Sequence, residues 1–327
     1  KIIDRKYEMN KKLVFMLMAS LGMTVLAGCG NTASNSTQEV TQEAVQEAET
    51  VKVVHTLGET EVPKNPENVV VFDIGTLDAL ETLGVEITGV VASNIPEYLA
   101  KYEGDEYEKV GELFEPDLEK IYALEPELII IGARQADYYE QLSEIAPTIS
   151  MAVDNTSYLD SFKSNMNYLG EIFGKQQEVA EKLSSMDEAI AAVHTKAEEK
   201  NVNGLIVLAN DSAISVYGQG SRFGIIHDEF GITPVDENIE LSNHGQKSSF
   251  EYIVEQNPDY IFVVDRAAVA GGQNSAKELI ENELIKTTDA YKNNRIIYLD
   301  PNAWYVAGGG FISTQIMIDE MTTALEQ

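Results

Sequence analysis

Short apolar runs recur along the chain from residue 51 onward, and stretches with helical spacing separate them. These runs read VVVFDI, ITGVVAS, LIIIG, GLIVLA, YIFVVD and RIIYLD. Buried strands that alternate with helices are typical of parallel α/β layers. We therefore predict an α/β protein built on mainly parallel sheets.

The segment 159–200 has a different pattern, without a buried run and without proline. Apolar side chains recur there at helical spacing, at Phe162, Met166, Leu169, Phe173, Val179 and Leu183. We predict one long helix, with Gly170 and Gly174 as the positions at which a bend would fall. The helix would join an N-terminal α/β lobe, 51–158, to a C-terminal α/β lobe, 201–327.

One phrase occurs twice at a constant offset of 132 residues. LEKIYALEPELIIIGAR (118–134) aligns with FEYIVEQNPDYIFVVDR (250–266), so that the prolines coincide and Arg134 matches Arg266. Each copy reads as a helix, a turn with proline and an acidic residue, a buried strand, and an arginine just past the strand. Ligands of open parallel sheets bind beyond the carboxyl ends of the strands. Both arginines are therefore expected to face one cleft between the lobes.

The overall charge makes these arginines informative. With 23 Lys+Arg against 54 Asp+Glu the formal net charge is -31, so a nucleic-acid backbone would be repelled. A third arginine, Arg222 in YGQGSRFG, follows another predicted strand and turn. A guanidinium group offers a planar fork of donors and keeps its charge when partly desolvated. The three arginines are predicted to form an anion site, and the alternative for each is a surface ion pair or a helix cap.

The first fifty residues are predicted to be a signal peptide followed by a flexible tether. From Met9 two lysines, an apolar run and small residues lead to Cys29, the only cysteine, as in a secretory signal peptide over residues 1–29. The ending LAGC resembles the lipobox of bacterial lipoproteins, which implies lipidation of Cys29 and tethering outside the cytoplasmic membrane; an ordinary signal with an incidental cysteine is the alternative. Residues 1–8 are expected to be an extension upstream of the natural start. Residues 30–50 are polar and acidic and predict a flexible tether.

The lobes, the linking helix, the lipobox and the repeated phrase resemble the ABC-importer substrate-binding proteins with a rigid helical backbone. That class takes up ferric siderophores, cobalamin and haem, and the resemblance covers nearly the whole chain from Cys29 to Gln327. The phrases IGAR, GSRFGIIHDEFG, NHGQKSSFEYI and WYVAGGGF look like the subfamily for ferric catecholate siderophores of the petrobactin and enterobactin-fragment type. The resemblance implies two Rossmann-like lobes with the ligand cleft between them.

The same resemblance implies roles for particular residues. Arg134, Arg222 and Arg266 would face the anionic iron–catecholate, whose desolvation requires cations. His244 and Tyr305 would complete the iron sphere when the siderophore offers only four oxygens, although some members lack the histidine. Imidazole and phenolate are both competent iron ligands.

Aromatic side chains are candidates for stacking on catechol rings. The first candidate is Trp304, and the tyrosines Tyr98, Tyr138 and Tyr217 follow. Ordinary core packing is the alternative for each of the four.

The resemblance also implies partners. Members of the class hand their cargo to an ABC permease with its ATPase, and they dock through one surface glutamate per lobe. Glu119 and Glu251 are equivalent in the repeat, and Glu140 lies on a helix after the first arginine. With 54 acidic residues in the chain, a simple solvated surface is the alternative for each. The receptor is expected to be a monomer.

Motifs of enzymes are missing from the sequence. It contains no G-x-S-x-G elbow, no Walker A phrase and no correctly spaced G-x-G-x-x-G. We predict no enzyme activity and no intrinsic cofactor, with the Fe(III)-siderophore as transported ligand. The other histidines, His55, His194 and His227, are scattered, which disfavours a bare metal ion as cargo. The remaining alternatives are a receptor for haem, cobalamin or ferric hydroxamate, and a surface protein without a transport role.

Overall fold

The computed structural model describes residues 49–327. The predicted signal peptide, Cys29 and nearly all of the predicted tether lie outside the described residues. Within residues 49–327, no helix combines the length and the apolar character needed to cross a bilayer.

The N-terminal lobe is built on a five-stranded parallel sheet in the order β5-β4-β3-β8-β9. Its central strands are runs of buried Val and Ile because helices cover both faces of a parallel sheet. The strands of this lobe are β1 (Thr50–His55), β2 (Gly58–Pro63), β3 (Val69–Val71), β4 (Gly89–Val90), β5 (Glu108–Lys109), β6 (Gly111–Glu112), β7 (Glu115–Pro116), β8 (Leu128–Ile131) and β9 (Thr148–Ser150). The α-helices are α1 (Ile74–Leu83), α2 (Leu118–Leu124) and α3 (Tyr139–Ser143). The pairs β1–β2 and β6–β7 form separate antiparallel hairpins.

The C-terminal lobe contains a mixed sheet in the order β13-β11-β10-β14-β15, with β12 beside β10. Strands β10, β12, β14 and β15 run parallel, whereas β11 is antiparallel to both of its neighbours, β10 and β13. The strands are β10 (Asn203–Asn210), β11 (Ala213–Tyr217), β12 (Thr233–Pro234), β13 (Gln246–Ser248), β14 (Tyr260–Asp265) and β15 (Ile296–Leu299). All six apolar runs of the sequence therefore contain strands, and the predicted α/β fold with mainly parallel sheets is confirmed.

The segment between the lobes consists of two consecutive helices, where the sequence pattern predicted one. They are α4 (Tyr158–Phe173) and α5 (Gln176–Lys200). The break falls at Gly174, whose φ of 63° is the left-handed conformation that glycine adopts at little cost. Because α4 packs on β1, it belongs to the N-terminal lobe, and α5 forms the connection.

The remaining α-helices of the described chain connect the strands of the C-terminal sheet or follow its last strand. They are α6 (Ile225–Asp228), α7 (Phe250–Gln256), α8 (Arg266–Ala270), α9 (Ala276–Ile280), α10 (Asp289–Lys292) and α11 (Phe311–Ala324). Residues Asn302–Val306 form a π-helical turn between β15 and α11.

Helix α11 returns from the C-terminal lobe and packs against α1 and α5. The buried carboxylate of Asp78, on α1, accepts hydrogen bonds from the backbone N–H groups of Ile312 and Ser313, both at 2.7 Å. Gly75, also on α1, lies against the backbone of Gly308, and a Cβ atom at residue 75 would come within 2.5 Å of the Gly308 carbonyl oxygen. The lobes are thus connected by α5 and also by this contact of α1 with the last helix.

The internal repeat is a structural repeat. Helix α2 begins at the N-cap Asp117 and helix α7 at the N-cap Ser249, 132 residues later. The two helices end at Glu125 and Asn257, which have left-handed φ angles of 48° and 42°. A buried strand follows each helix, so both copies deliver an arginine to the carboxyl edge of a sheet.

Candidate functional site

Three arginines from three different strand ends converge on one residue, Tyr305. Arg134 lies in the 3₁₀ turn that follows β8, Arg222 lies in the turn after β11, and Arg266 is the first residue of α8, directly after β14. The predicted triad is therefore brought together by the fold. Tyr305 itself lies in the π-helical turn, a local geometry that is frequent at functional sites.

Backbone and side chain of Tyr305 both bind the arginines. The Tyr305 carbonyl oxygen accepts hydrogen bonds from Nη2 of Arg134 and Nη2 of Arg222, both at 2.7 Å. Nε of Arg266 donates to the Tyr305 hydroxyl at 2.9 Å, and its Nη1 donates to Oδ1 of Asn210 at 2.8 Å. The guanidinium carbon of Arg222 lies 4.0 Å from the centre of the Tyr305 ring. The protein thus orients the guanidinium groups itself, which lowers the entropy cost of binding an anion.

Burial and the neighbouring positive charges have opposite effects on the pKa of the Tyr305 hydroxyl. Burial raises the pKa of the Tyr305 hydroxyl, but the hydrogen bond from Arg266 and the charges of Arg222 and Arg266 outweigh it, so that the pKa lies below the ordinary tyrosine value. Stabilised phenolate is the form that binds a hard metal ion.

For Arg134, burial has the larger effect on the pKa. Burial and the neighbouring charge of Arg222 lower the pKa of Arg134, while Asp73 and Tyr305 partly offset them. A guanidinium group remains protonated under such conditions. The buried carboxyl of Asp73 has a raised pKa because of desolvation, against which its hydrogen bonds from Thr76 and the charge of Arg134 act. An excess of positive charge therefore remains at the junction of the lobes.

The cleft has two compartments that meet at the triad. The first has a volume of about 320 Å³ and lies between the lobes, with Arg134 and the apolar side chains Met151, Val153 and Trp304 in its wall. The second has a volume of about 720 Å³. It belongs to the C-terminal lobe, and its wall includes Asn210, Ser215, Lys247 and Arg266. Arg222, Asn243, His244 and Tyr305 border both compartments.

His244 lies in an exposed turn beside this junction. Its backbone N–H donates to Oγ of Ser242 at 3.3 Å, and the residue borders both compartments, as Tyr305 does. The structure thus brings the two predicted iron ligands to one junction. Within residues 49–327, no set of three or more His, Cys, Asp or Glu side chains is grouped as a metal site.

The aromatic candidates separate into two groups. Trp304 is only 3% exposed, and its Nε1 donates to Oε2 of Glu320 at 2.6 Å, so it forms a fixed part of the wall of the first compartment. Tyr217 is buried beneath the second compartment. Tyr98 and Tyr138 pack at the edge of the hydrophobic core and border neither compartment, so core packing accounts for them.

Sequence reasoning missed two polar residues of the site. Asp73 follows β3 and N-caps α1 while it borders the first compartment. Asn210 is the last residue of β10 and holds Arg266. Both lie at the carboxyl ends of strands, so the argument applied to the arginines would have identified them.

The predicted docking glutamates are all exposed. Glu119 and Glu251 lie in the first turns of α2 and α7, and Glu140 lies in the first turn of α3. Glu119 borders a shallow groove beside the exposed ring of Tyr122, whereas Glu251 borders the second compartment.

Known proteins share this architecture. Residues 69–303 match the family described as periplasmic binding protein. The petrobactin-binding protein YclQ of Bacillus subtilis is 44% identical over 321 residues, which is 97% of this chain and 100% of that protein. The crystal structure of YclQ aligns with a TM-score of 0.83 and 47% identity over 85% of this chain and 99% of that chain.

Two further relatives are also siderophore-binding proteins by name. The periplasmic catecholate-siderophore binding protein VctP from Vibrio cholerae aligns with a TM-score of 0.81 and 37% identity, over 84% of this chain and 100% of that chain. The ferric-anguibactin-binding protein FatB of Vibrio anguillarum is 33% identical over 94% of this chain and 98% of its own length. All three relatives are binding proteins. With its two lobes, its cleft between them and these shared lengths, this chain belongs to the periplasmic binding protein family.

Proposed function

We propose that this chain is the extracytoplasmic substrate-binding component of an ABC importer and captures a ferric catecholate siderophore. The observation that carries the proposal is the convergence of Arg134, Arg222 and Arg266 on Tyr305. An anionic chelate would exchange its hydration for these fixed donors, which offsets the cost of desolvating its charge. The names of the relatives YclQ and VctP, which state petrobactin and catecholate siderophores as their ligands, support the same ligand class.

The two compartments fit a chelate with aromatic and polar parts. Catechol rings would lie against the apolar wall that contains Trp304 and Met151. The linker of the siderophore would extend along the second compartment, whose wall includes the polar side chains Asn210, Ser215 and Lys247. The iron would lie near the junction, where His244 and Tyr305 supply the donors that a tetradentate siderophore lacks, and the lowered pKa of Tyr305 favours its phenolate form.

A fluorescence titration of the chain from residue 49 onward tests this function. Ferric tetradentate bis-catecholate, ferric hexadentate tris-catecholate and a ferric hydroxamate are added in parallel, and quenching of Trp304 is recorded. We expect submicromolar binding of the catecholates and weaker binding of the hydroxamate, whose lower negative charge does not require three cations. Tight binding of the hydroxamate alone, or of haem or cobalamin in the same assay, would reject the catecholate assignment.

Docking to a permease is proposed to use Glu119 on the N-terminal lobe and Glu251 on the C-terminal lobe, with Glu140 as a further candidate on α3. Glu119→Arg is expected to lower ligand-stimulated ATP hydrolysis by the reconstituted permease and ATPase at least fivefold. The affinity for the ferric ligand should not change, because Glu119 lies outside both compartments. Glu171→Arg, an equally exposed change on α4, is the control. Equal ATP hydrolysis by the Glu119 and Glu171 variants would exclude docking through Glu119.

Attachment to the membrane is proposed to depend on the lipid at Cys29. Cells that produce a Cys29→Ser chain are expected to release the receptor into the soluble fraction, whereas the unaltered chain remains with the membrane. The same distribution for both chains would contradict lipid anchoring. We expect the released receptor to sediment as a monomer.

A further inference from the structure

The loop that carries His244 rests on the ring of a buried tyrosine. The backbone of Gly245 lies against Tyr217, and a Cβ atom at residue 245 would come within 2.5 Å of Cε2 and 2.7 Å of Cζ of that ring. Gly245 also has a φ of 72°, a conformation that other residues rarely adopt. Glycine is thus required at this position for its backbone and for its lack of a side chain.

Both ends of this loop are fixed. On the N-terminal side, Ile239 is buried. On the C-terminal side, Gln246 begins β13 and lies opposite Val216 in the antiparallel pair with β11. The side-chain oxygen of Gln246 accepts a hydrogen bond from the backbone N–H of Glu240 at 2.8 Å, which closes the loop at its base. Residues 241–244 are exposed between these two fixed ends, and Gly245 contacts Tyr217 directly after them.

Tyr217 is a rigid support. It is the last residue of β11 and only 1% exposed. Its position in the sheet is set by the register with Ile206 on β10, and its ring packs edge to face on Phe223 with 4.8 Å between the ring centres. The ring of Tyr217 is thus held in place by the sheet of the C-terminal lobe and by Phe223.

We propose that Tyr217 is a positioning residue, whose contact with Gly245 sets the height at which His244 presents its imidazole to the cleft. The contact thereby makes the site selective for tetradentate ferric chelates, which leave iron positions open for protein donors. This inference rests on the proposed function, because it requires a ferric chelate near Tyr305.

The size of a methyl group explains why Gly245→Ala is expected to displace His244 from the iron. Carbon atoms in ordinary contact are about 3.5–4.0 Å apart, so a methyl group at residue 245 must lift the loop by roughly 1 Å. Metal ligands must be held to within about 0.5 Å of their productive positions. His244 is the adjacent residue and would be displaced with the loop.

The ring of Tyr217 acts in this arrangement, and its hydroxyl does not. The hydroxyl oxygen is buried and makes no hydrogen bond within the part of the chain that the structure describes. Removing an unpartnered buried polar group carries little cost. Tyr217→Phe is therefore expected to keep the support intact.

The experiment compares His244→Ala, Gly245→Ala and Tyr217→Phe in titrations with a ferric bis-catecholate and a ferric tris-catecholate. The visible charge-transfer band of iron is recorded at each point. We expect both His244→Ala and Gly245→Ala to weaken the tetradentate chelate at least tenfold, to alter its band in the same way, and to change the affinity for the hexadentate chelate less than twofold. Tyr217→Phe should leave both affinities unchanged.

The control variant is Gly84→Ala. Gly84 has a left-handed φ of 67°, but a Cβ atom there would meet no atom within 4 Å. This variant carries the same backbone strain without the steric contact and is expected to bind both chelates normally. If Gly245→Ala fails to fold, Tyr217→Leu removes the ring from below, and the same selective loss is expected.

The outcomes separate the inference from the function on which it rests. Weak tetradentate binding by His244→Ala with normal binding by Gly245→Ala would reject the role of Tyr217 and keep the proposed function. Equal losses for both chelates, or a loss in Tyr217→Phe, would also reject it. No tight catecholate binding by the unaltered chain would reject the proposed function itself.

Discussion

Replacing Arg222 by glutamine is expected to weaken the binding of a ferric bis-catecholate by about 100-fold. Arg222 borders both compartments, donates to the Tyr305 carbonyl and lies over the Tyr305 ring. Glutamine keeps a polar side chain and removes the charge. Loss of one partner from a desolvated charge pair costs about 2–5 kcal/mol, and a 100-fold change corresponds to about 2.7 kcal/mol.

A calorimetric titration measures this loss, and the chain offers a matched control. Arg295 is also an arginine over an aromatic ring, with its guanidinium carbon 5.0 Å from the centre of the Tyr260 ring, but it borders neither compartment. Arg295→Gln should bind the chelate with unchanged affinity. Similar affinities for the Arg222 and Arg295 variants would show that the triad is structural.

The same Arg222 variant has an independent spectroscopic readout. Arg222 is one of the charges that lower the pKa of Tyr305, so its removal raises that pKa. Phenolate ligation then requires a higher pH, and the pH at which the iron–phenolate band develops should move upward in Arg222→Gln.

Replacing Asp78 by asparagine is expected to change how stability depends on pH. Burial raises the pKa of the Asp78 carboxyl from 3.8 to about 6, although the N–H groups of Ile312 and Ser313 act in the opposite direction. The folded chain therefore binds this proton more tightly than the unfolded chain. The contribution of Asp78 to the unfolding free energy is fully present below pH 3.8. It falls by about 3 kcal/mol as the pH rises from there through the folded-state pKa of about 6. Asparagine does not titrate and lacks this decline.

Urea unfolding between pH 4 and pH 7.5 measures the effect as a difference between the two chains. The unfolding free energy of Asp78→Asn, relative to that of the unaltered chain, should increase with pH by about 2–3 kcal/mol. Asp154→Asn is a control of opposite sign, because hydrogen bonds from Thr156 lower the pKa of Asp154. Parallel pH profiles for the Asp78 variant and the unaltered chain would show that burial does not raise the pKa of the Asp78 carboxyl.

Local pattern was sufficient for the framework of the site. The six apolar runs gave the main strands, and the repeat placed Arg134 and Arg266 at equivalent strand ends because register and position within a copy are local properties. The break at Gly174 was suggested by a glycine in a helical pattern, but the pattern did not decide whether the helix bends or ends there, and the left-handed φ of Gly174 ends it.

Contacts between distant segments were not predictable. The carbonyl of Tyr305 accepts two arginines only because a π-helical turn exposes it, and no residue in that segment signals such a turn. The return of α11 to α1 and the contact of Gly245 with Tyr217 depend on tertiary packing. Glycine at residue 245 suggested a turn, and only the structure shows which ring lies beneath it.

The position of α11 has a consequence for the synthesis of the chain. Helix α1 lies early in the sequence, yet its packing partner α11 is synthesised more than 200 residues later, at 311–324. Until then Asp78 lacks the N–H groups that satisfy it, and one face of α1 stays uncovered. Contacts with such a long sequence separation form slowly. The N-terminal lobe therefore cannot cover α1 completely until residues 311–324 have been synthesised.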